Sequence, residues 1–394
     1  MAITRTPQFY DLIAHGLSNL GYTSFSEYVN DMFAEKYNAE QTFEQMGFPL
    51  NPSLPLRPTY EQLDAVVRPY TMAGYVDIDS DGPTKSTDGL ALKMGQIPIF
   101  KHEIPIGRKE LRDQLYLVDR LGTVSDEISS VAMDQLFLST DNLLGGNYNT
   151  FRYQRHRIVS NEGKLVINKI NNPMGIALEI DFGVPAKNKQ KAIAYTKDSD
   201  GKITEKTGVN LVQVLKDTQR MARLKDNCPQ GHWEVAYNTW QDILQLPSLL
   251  STYVALKNTL VDAETRKMLE GFVAEDAFKA WFETAIGAKV TVIDHVGFVE
   301  KFDEKQKKMV YDECPSFEEG VFVYVPDGAI GDAQFGKPFV VETPGARISL
   351  FDGGRTLLRQ IFNDETMDQV IKSEVSGLCV PNKTRWMYYV TVKG

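Results

Sequence analysis

Read by the spacing of its apolar positions, the chain opens with two short amphipathic helices. Phe9, Leu12, Ile13, Leu17 and Leu20 recur at helical intervals, and Gly21 stands where a C-terminal cap belongs. Phe25, Tyr28, Val29 and Phe33 mark a second helix. Pro49, Pro52, Pro55 and Pro58 then fall at every third position. Such a segment can be neither helix nor central strand, and its period suits an extended polyproline-type stretch. An amphipathic piece on a proline-rich tether is built either as an arm that docks elsewhere or as an ordinary subdomain and linker. MAGYVDI (72–78) and QIPIFKHEIPI (96–106) read as two strands around a polar tip that begins DSDGPTKSTDG. Isolated hairpins are marginal in water, so a long projecting one is expected to find a partner surface.

From Thr123 to about Asn161 the period turns helical. Thr123 and Asp126 fit a capping box, and Val124, Ile128 and Val131 begin the stripe. Gly145-Gly146 is a weak point, after which Tyr148, Phe151 and Ile158 continue the period. Strand-like KLVINKI and IALEIDFGV follow. Further helices are predicted over 209–224 and 274–287. Another is predicted within 233–258, where Trp233, Val235, Tyr237, Trp240, Ile243 and Leu244 cluster. Strands are predicted at 289–296, 320–330 and 338–343, and a last aromatic one at 385–393, RWMYYVTVK. Helices and strands mix without a strict βαβα rhythm, which predicts an α+β fold with a mixed or antiparallel sheet.

Composition narrows the class. At 394 residues the prior is about two to three domains. Hydrophobic residues at 42% and charged residues at 24% are ordinary globular values. A net charge of −9 speaks against a dedicated nucleic-acid binder, whose domain is normally basic. Cys228, Cys314 and Cys379 are odd in number and widely spaced, so they form neither a disulfide framework nor a zinc knuckle; a reducing interior fits. The N-terminus carries no uninterrupted apolar signal region and no run is long enough to span a bilayer, so a soluble intracellular product with no membrane partner is expected.

Enzyme signatures are sparse. The sequence has no GxxxxGK[ST], no GxGxxG after a strand, no HExxH, no CxxC and no GxSxG, and no cofactor or metal is expected. Asp294-His295, after an apolar strand, could set an acid beside a base, but no nucleophile motif accompanies them. DIDSDG (77–82) is similar to a calcium loop without its closing Glu, and reads better as an acidic turn. Arg152, Arg155, His156 and Arg157 cluster late on the long helix. They form either a solvated face or a local, sequence-independent phosphate contact.

The order of segments resembles the major capsid protein of tailed bacteriophages, and within it the lambda-type branch, the capsid protein E family. Three stretches carry the likeness. IPIFKHEIPIG (Ile97 to Gly107) looks like the return strand of that family's extended loop. The long helix running into NEGKLVI and EIDFGVP is similar to its spine helix and peripheral-domain strands. VTVIDHVGFVEKF followed by EEGVFVYVPDGAIGDAQFGKP (Glu318 to Pro338) looks like its axial-domain strands. The resemblance implies an N-terminal arm over 1–65 and an extended hairpin loop over 66–106. A peripheral domain over 107–187, completed by about 366–394, and an axial domain over 188–365 would follow. It implies a non-enzymatic subunit that self-assembles into hexamers and pentamers of an icosahedral shell around double-stranded DNA. Such a subunit is built in the host cytoplasm, ends in the virion, and works with portal, scaffolding and decoration proteins. Under this reading Arg152, Arg155 and Arg157 are the DNA-facing candidates. Trp386, Tyr388, Tyr389 and the proline-rich arm are the apolar resources for interfaces. Two alternatives stay open: an encapsulin-like nanocompartment shell, and an intracellular enzyme with an acid/base site near His295.

Overall fold

Residues 9–45 form three helices: α1 (Phe9–Asn19), α2 (Phe25–Ala34) and α3 (Ala39–Gln45). The computed structural model describes residues 9–65, 90–106, 116, 126–172, 176–257, 273–303, 308–340, 346–363 and 368–394. Two of the three helices follow the period; α3 has too few turns to announce itself. Its start is set by Asn38, whose side chain accepts the Gln41 N–H. At α2, Ser24 Oγ accepts the Glu27 N–H at 3.1 Å, while the Glu27 carboxylate takes the Thr23 N–H at 2.8 Å. This reciprocal pair satisfies donors that the first turn cannot satisfy internally.

The remaining elements complete two compact units, each assembled from separate stretches of the chain. One unit holds residues 1–61, 94–151 and 332–380; the other holds 62–93, 152–331 and 381–394. The strands β1 (Thr59–Ala65) and β2 (Leu90–Gln96) pair as a ribbon, and β3 (Ile99–Ile106) follows. Next comes α4 (Asp126–Ser160), 35 residues in one run and therefore about 50 Å long. Gly145-Gly146 does not interrupt it. Gly146 instead faces the His102 ring, which an added Cβ would meet at 2.6 Å.

In the first unit, β14 (Ala346–Phe351), β15 (Thr356–Asn363) and β16 (Asp368–Pro381) make an antiparallel sheet to which β3 and β13 (Gly331–Gly336) also pair along β16. Phe25, Tyr28, Val29 and Phe33 of α2 are buried in one core with Leu136, Leu143 and Leu144 of α4 and Phe351, Leu358 and Ile371 of the sheet. The proline run lies parallel to β13. Ala333 N–H donates to the Pro49 carbonyl (3.0 Å), Asn51 N–H to the Ala333 carbonyl (2.9 Å) and Lys337 N–H to the Pro55 carbonyl (2.9 Å). Prolines cannot donate, so their carbonyls carry the pairing. The described part of the segment, expected either as an arm docking elsewhere or as an ordinary subdomain and linker, therefore packs on its own chain. So does the expected return strand of the hairpin, since β3 is paired along its whole length to β16. The hairpin tip, the acidic DIDSDG turn and the capping residue Thr123 lie outside the described residues.

The second unit centres on a mixed sheet in the order β7-β6-β17-β12-β8-β9. Its strands are β6 (Lys189–Lys197), β7 (Ile203–Glu205), β8 (Gly231–Ala236), β9 (Val290–Ile293), β12 (Val321–Pro326) and β17 (Tyr388–Lys393). Helices α5 (Leu211–Asp226), α6 (Tyr237–Leu244), α7 (Pro247–Lys257) and α8 (Glu275–Ile286) complete it. Trp233, Val235, Phe322, Tyr324, Tyr388 and Val390 from the sheet share one core with Leu215, Trp240, Ile243, Phe278 and Phe282 from the helices. Two ribbons stand apart from this sheet: β4 (Lys164–Ile167) with β5 (Leu178–Asp181), and β10 (Val296–Asp303) with β11 (Lys308–Pro315).

Three expectations need correction. Trp233 and Val235 lie on β8, not on a helix, because β8 is an interior strand and the run Trp233 to Ala236 is buried on both faces. The aromatic end is likewise interior: β17 runs between β6 and β12, so Tyr388 and Tyr389 are core residues and leave little for an interface. Phe339 and Val340, expected in a strand, sit in an irregular stretch and are exposed.

Candidate functional site

Of the three arginines read as DNA-facing, only Arg152 has an exposed side chain. The helical period turns Arg155 inward, where its guanidinium grips both oxygens of Glu234 on β8, with Nη1–Oε2 at 2.6 Å. Arg157 is spent on Glu318 at 2.6 Å and its side chain is 16% exposed. Arg155 is therefore withdrawn from the candidate set, since a charge already neutralised in the interior has nothing left for a phosphate. His232 lies on the same buried carboxylate, with Nε2 3.3 Å from Glu234 Oε1 and Nδ1 2.8 Å from Asp327 Oδ1. Burial by itself would raise the Glu234 pKa; the Arg155 guanidinium and His232 override it and hold the carboxyl well below the usual range. The hydrogen bond to Glu234, followed by burial acting the other way, leaves His232 with a raised pKa.

His295 is part of a second, partly buried polar group. The Ser316 hydroxyl donates to the His295 carbonyl at 2.6 Å, and His156 Nδ1 lies 3.0 Å from the same hydroxyl oxygen. With the serine proton committed to a carbonyl, Nδ1 of His156 carries the hydrogen. Desolvation, followed by the nearby Arg155 charge, pushes the His156 pKa down to about 3. Desolvation also lowers His295, with Arg152 adding to it and Asp294 opposing it. Ser316 has no exposed surface. The cluster holds β11 to α4 and offers no nucleophile to a substrate. Among the described residues no group of three or more His, Cys, Asp or Glu side chains is arranged to hold a metal ion. No helix among them is long and apolar enough to cross a membrane.

The most distinctive surface is the β10–β11 hairpin. Its antiparallel register sets Phe298 opposite Glu313, Glu300 opposite Tyr311 and Phe302 opposite Met309 on one face. Phe298 is 59% exposed, Tyr311 68% and Met309 49%. The opposite face carries Gly297 and Cys314, both buried, together with the Lys301–Asp312 ion pair. The Tyr311 hydroxyl hydrogen-bonds the Glu300 carboxylate, which raises the phenol pKa. FVEKF and MVYDE do not alternate apolar with polar residues, so periodicity in the sequence did not mark this face. Nothing in the sequence flagged Glu234, His232 and Asp327 as a network.

No protein-family model and no curated protein matches the sequence. The chain is similar in structure to the putative capsid protein of a prophage of E. coli CFT073, at 12% identity over 92% of this chain and 98% of that one, with a TM-score of 0.45. It is similar to the capsid of Ralstonia phage GP4, at 9% identity over 90% of this chain and 89% of that one, with a TM-score of 0.41. A third similarity is to the virus-like particle from Pyrococcus furiosus, at 9% identity over 93% of this chain and 99% of that one, with a TM-score of 0.35.

Proposed function

We propose that this chain is the structural subunit of an icosahedral tailed-phage capsid of the lambda-type branch. In this reading it self-assembles into hexamers and pentamers and encloses double-stranded DNA. The observation that supports the reading most is the order of its elements. Helices and a proline-rich stretch lead into strands that bracket residues 66–89. A single 35-residue helix follows, then two short strands, and then a mixed sheet closed by the C-terminal strand. That is the order the sequence resemblance calls for. Large apolar side chains left exposed on a ribbon, Phe298 and Tyr311 above all, support a chain whose surface is finished by neighbours.

Under this reading the unit with the six-stranded sheet corresponds to the axial domain and the unit with α2, β14 and β15 to the peripheral one. Residues 381–394, expected in the peripheral domain, therefore go with the axial one, and 332–365, expected in the axial domain, go with the peripheral one. Of the three arginines read as DNA-facing, Arg152 alone keeps an exposed side chain for inward DNA contact, which suits a shell held by protein interfaces. The test is electron microscopy and sedimentation of the full chain expressed alone and with its genomic neighbours. Closed shells of one size class support the reading, and particles loaded with protein cargo and free of nucleic acid turn it toward a nanocompartment. A chain that stays monomeric in every condition refutes it.

A further inference from the structure

Resting on the shell-subunit reading, we infer that the apolar face of the β10–β11 hairpin binds helix α5 of a second copy of this chain. Phe298 and Tyr311 are more than half exposed and Met309 is 49% exposed, so none of the described residues of its own chain covers this face. Its charge is of one sign. Glu300 and Glu313 share the apolar face, whereas Lys301 and Lys308 lie on the other face by register. The surface that completes it must therefore combine apolar area with positive charge.

Helix α5 presents that combination. Lys216, Arg220 and Leu224 are all exposed and follow one another at four-residue intervals, which aligns them along one stripe. Leu224 is 69% exposed. Asp217 at the edge of the stripe is held by the Gln213 amide at 3.0 Å. The lengths match as well. A 16-residue helix spans about 24 Å and an eight-residue strand about 27 Å. Arg220 over the faces of Phe298 or Tyr311, with Lys216 near Glu300 or Glu313, would place a guanidinium on an aromatic ring and a cation on a carboxylate in one contact. A hairpin-to-helix contact is heterologous, and repeating a heterologous contact gives a ring when its rotation closes, as a hexamer or pentamer requires.

Charge reversal on the full chain tests this. The E300K/E313K variant and the K216E/R220E variant alter exposed side chains only, and unchanged tryptophan fluorescence confirms the fold. Each is expected to raise the subunit concentration needed for assembly about tenfold or more, since like charges then face each other. Combining all four substitutions in one chain restores assembly toward that of the unmodified chain, because the pairs are again opposite in sign. The inference is overturned if either reversed variant assembles normally, or if the combined chain assembles no better than the two singly reversed ones. In both cases unmodified chains still form shells, so the shell reading stands. Unmodified chains that never assemble overturn both readings.

Discussion

Replacing Arg155 by methionine removes the guanidinium while keeping most of the side chain's volume. Glu234 is then left 1% exposed with its main counter-charge gone and, among the described residues, His232 as its remaining hydrogen-bond partner. Stranding one partner of a buried ion pair costs about 3–5 kcal/mol, far more than such a pair contributes over an apolar replacement. For a unit of roughly 200 residues, at ~2–4 °C per kcal/mol, that is a fall in Tm of about 10 °C. The double variant R155M/E234M should recover most of the loss, because no charge is then left in the interior. All four tryptophans, Trp233, Trp240, Trp281 and Trp386, lie in the unit that holds the pair, so their fluorescence during urea or thermal unfolding of the unassembled subunit reports on that unit. The pH dependence gives a second reading. In R155M, burial without the guanidinium raises the Glu234 pKa above its unfolded value. The deficit should therefore shrink as pH falls and the carboxyl takes up a proton. An R155M chain within about 1 kcal/mol of the parent, or a double variant as unstable as the single, would refute the reasoning.

Three further outcomes are expected. His156 stays neutral to about pH 3 when folded, whereas the unfolded chain protonates it near its ordinary pKa of 6.5; stability should therefore fall on acidification below that value, and His156→Asn should flatten the slope by up to about 1.4 kcal/mol per pH unit in urea titrations. Asn147 joins His102 Nε2 (2.9 Å) to Ser373 Oγ (2.8 Å) in the interior, so Asn147→Ala should cost about 1–3 kcal/mol by denaturant melting, and a smaller loss than that would show the network to be dispensable. Gly377 lies against the aromatic cluster of Phe151 and Phe335, where an added Cβ would come within 2.5 Å of Phe151 Cζ; Gly377→Ala should cost about 1–3 kcal/mol by calorimetry, and a neutral result would mean the ring moves freely aside.

Local geometry was legible wherever one face of an element is apolar and the other polar. The period of Phe25, Tyr28, Val29 and Phe33 marks α2, and the long run after Thr123 became α4 through its paired glycines, because the helical hydrogen-bond ladder continues where packing holds it. The helices over 211–226 and 275–286 came through for the same reason, whereas the strand at 321–326 was legible as an unbroken apolar run, VFVYVP, bounded by turn residues.

What covers each face was decided only in three dimensions. Burial on both sides erases periodicity, so Trp233 and Val235 on β8 look the same in sequence as a helix segment. Pairing partners are distant along the chain: Arg155 meets Glu234 79 residues on, and β3 adds to β16 more than 260 residues later. Arg152, Arg155 and Arg157 were equivalent as letters. The helix phase of 100° per residue, set against a particular sheet, left the first in solvent, buried the second and put the third in a partly exposed ion pair. The aromatic end of the chain, suited by composition to an interface, became core because β17 falls between two other strands. A sequence fixes the face that an element must hide, but the surface that hides it depends on where the rest of the chain can reach.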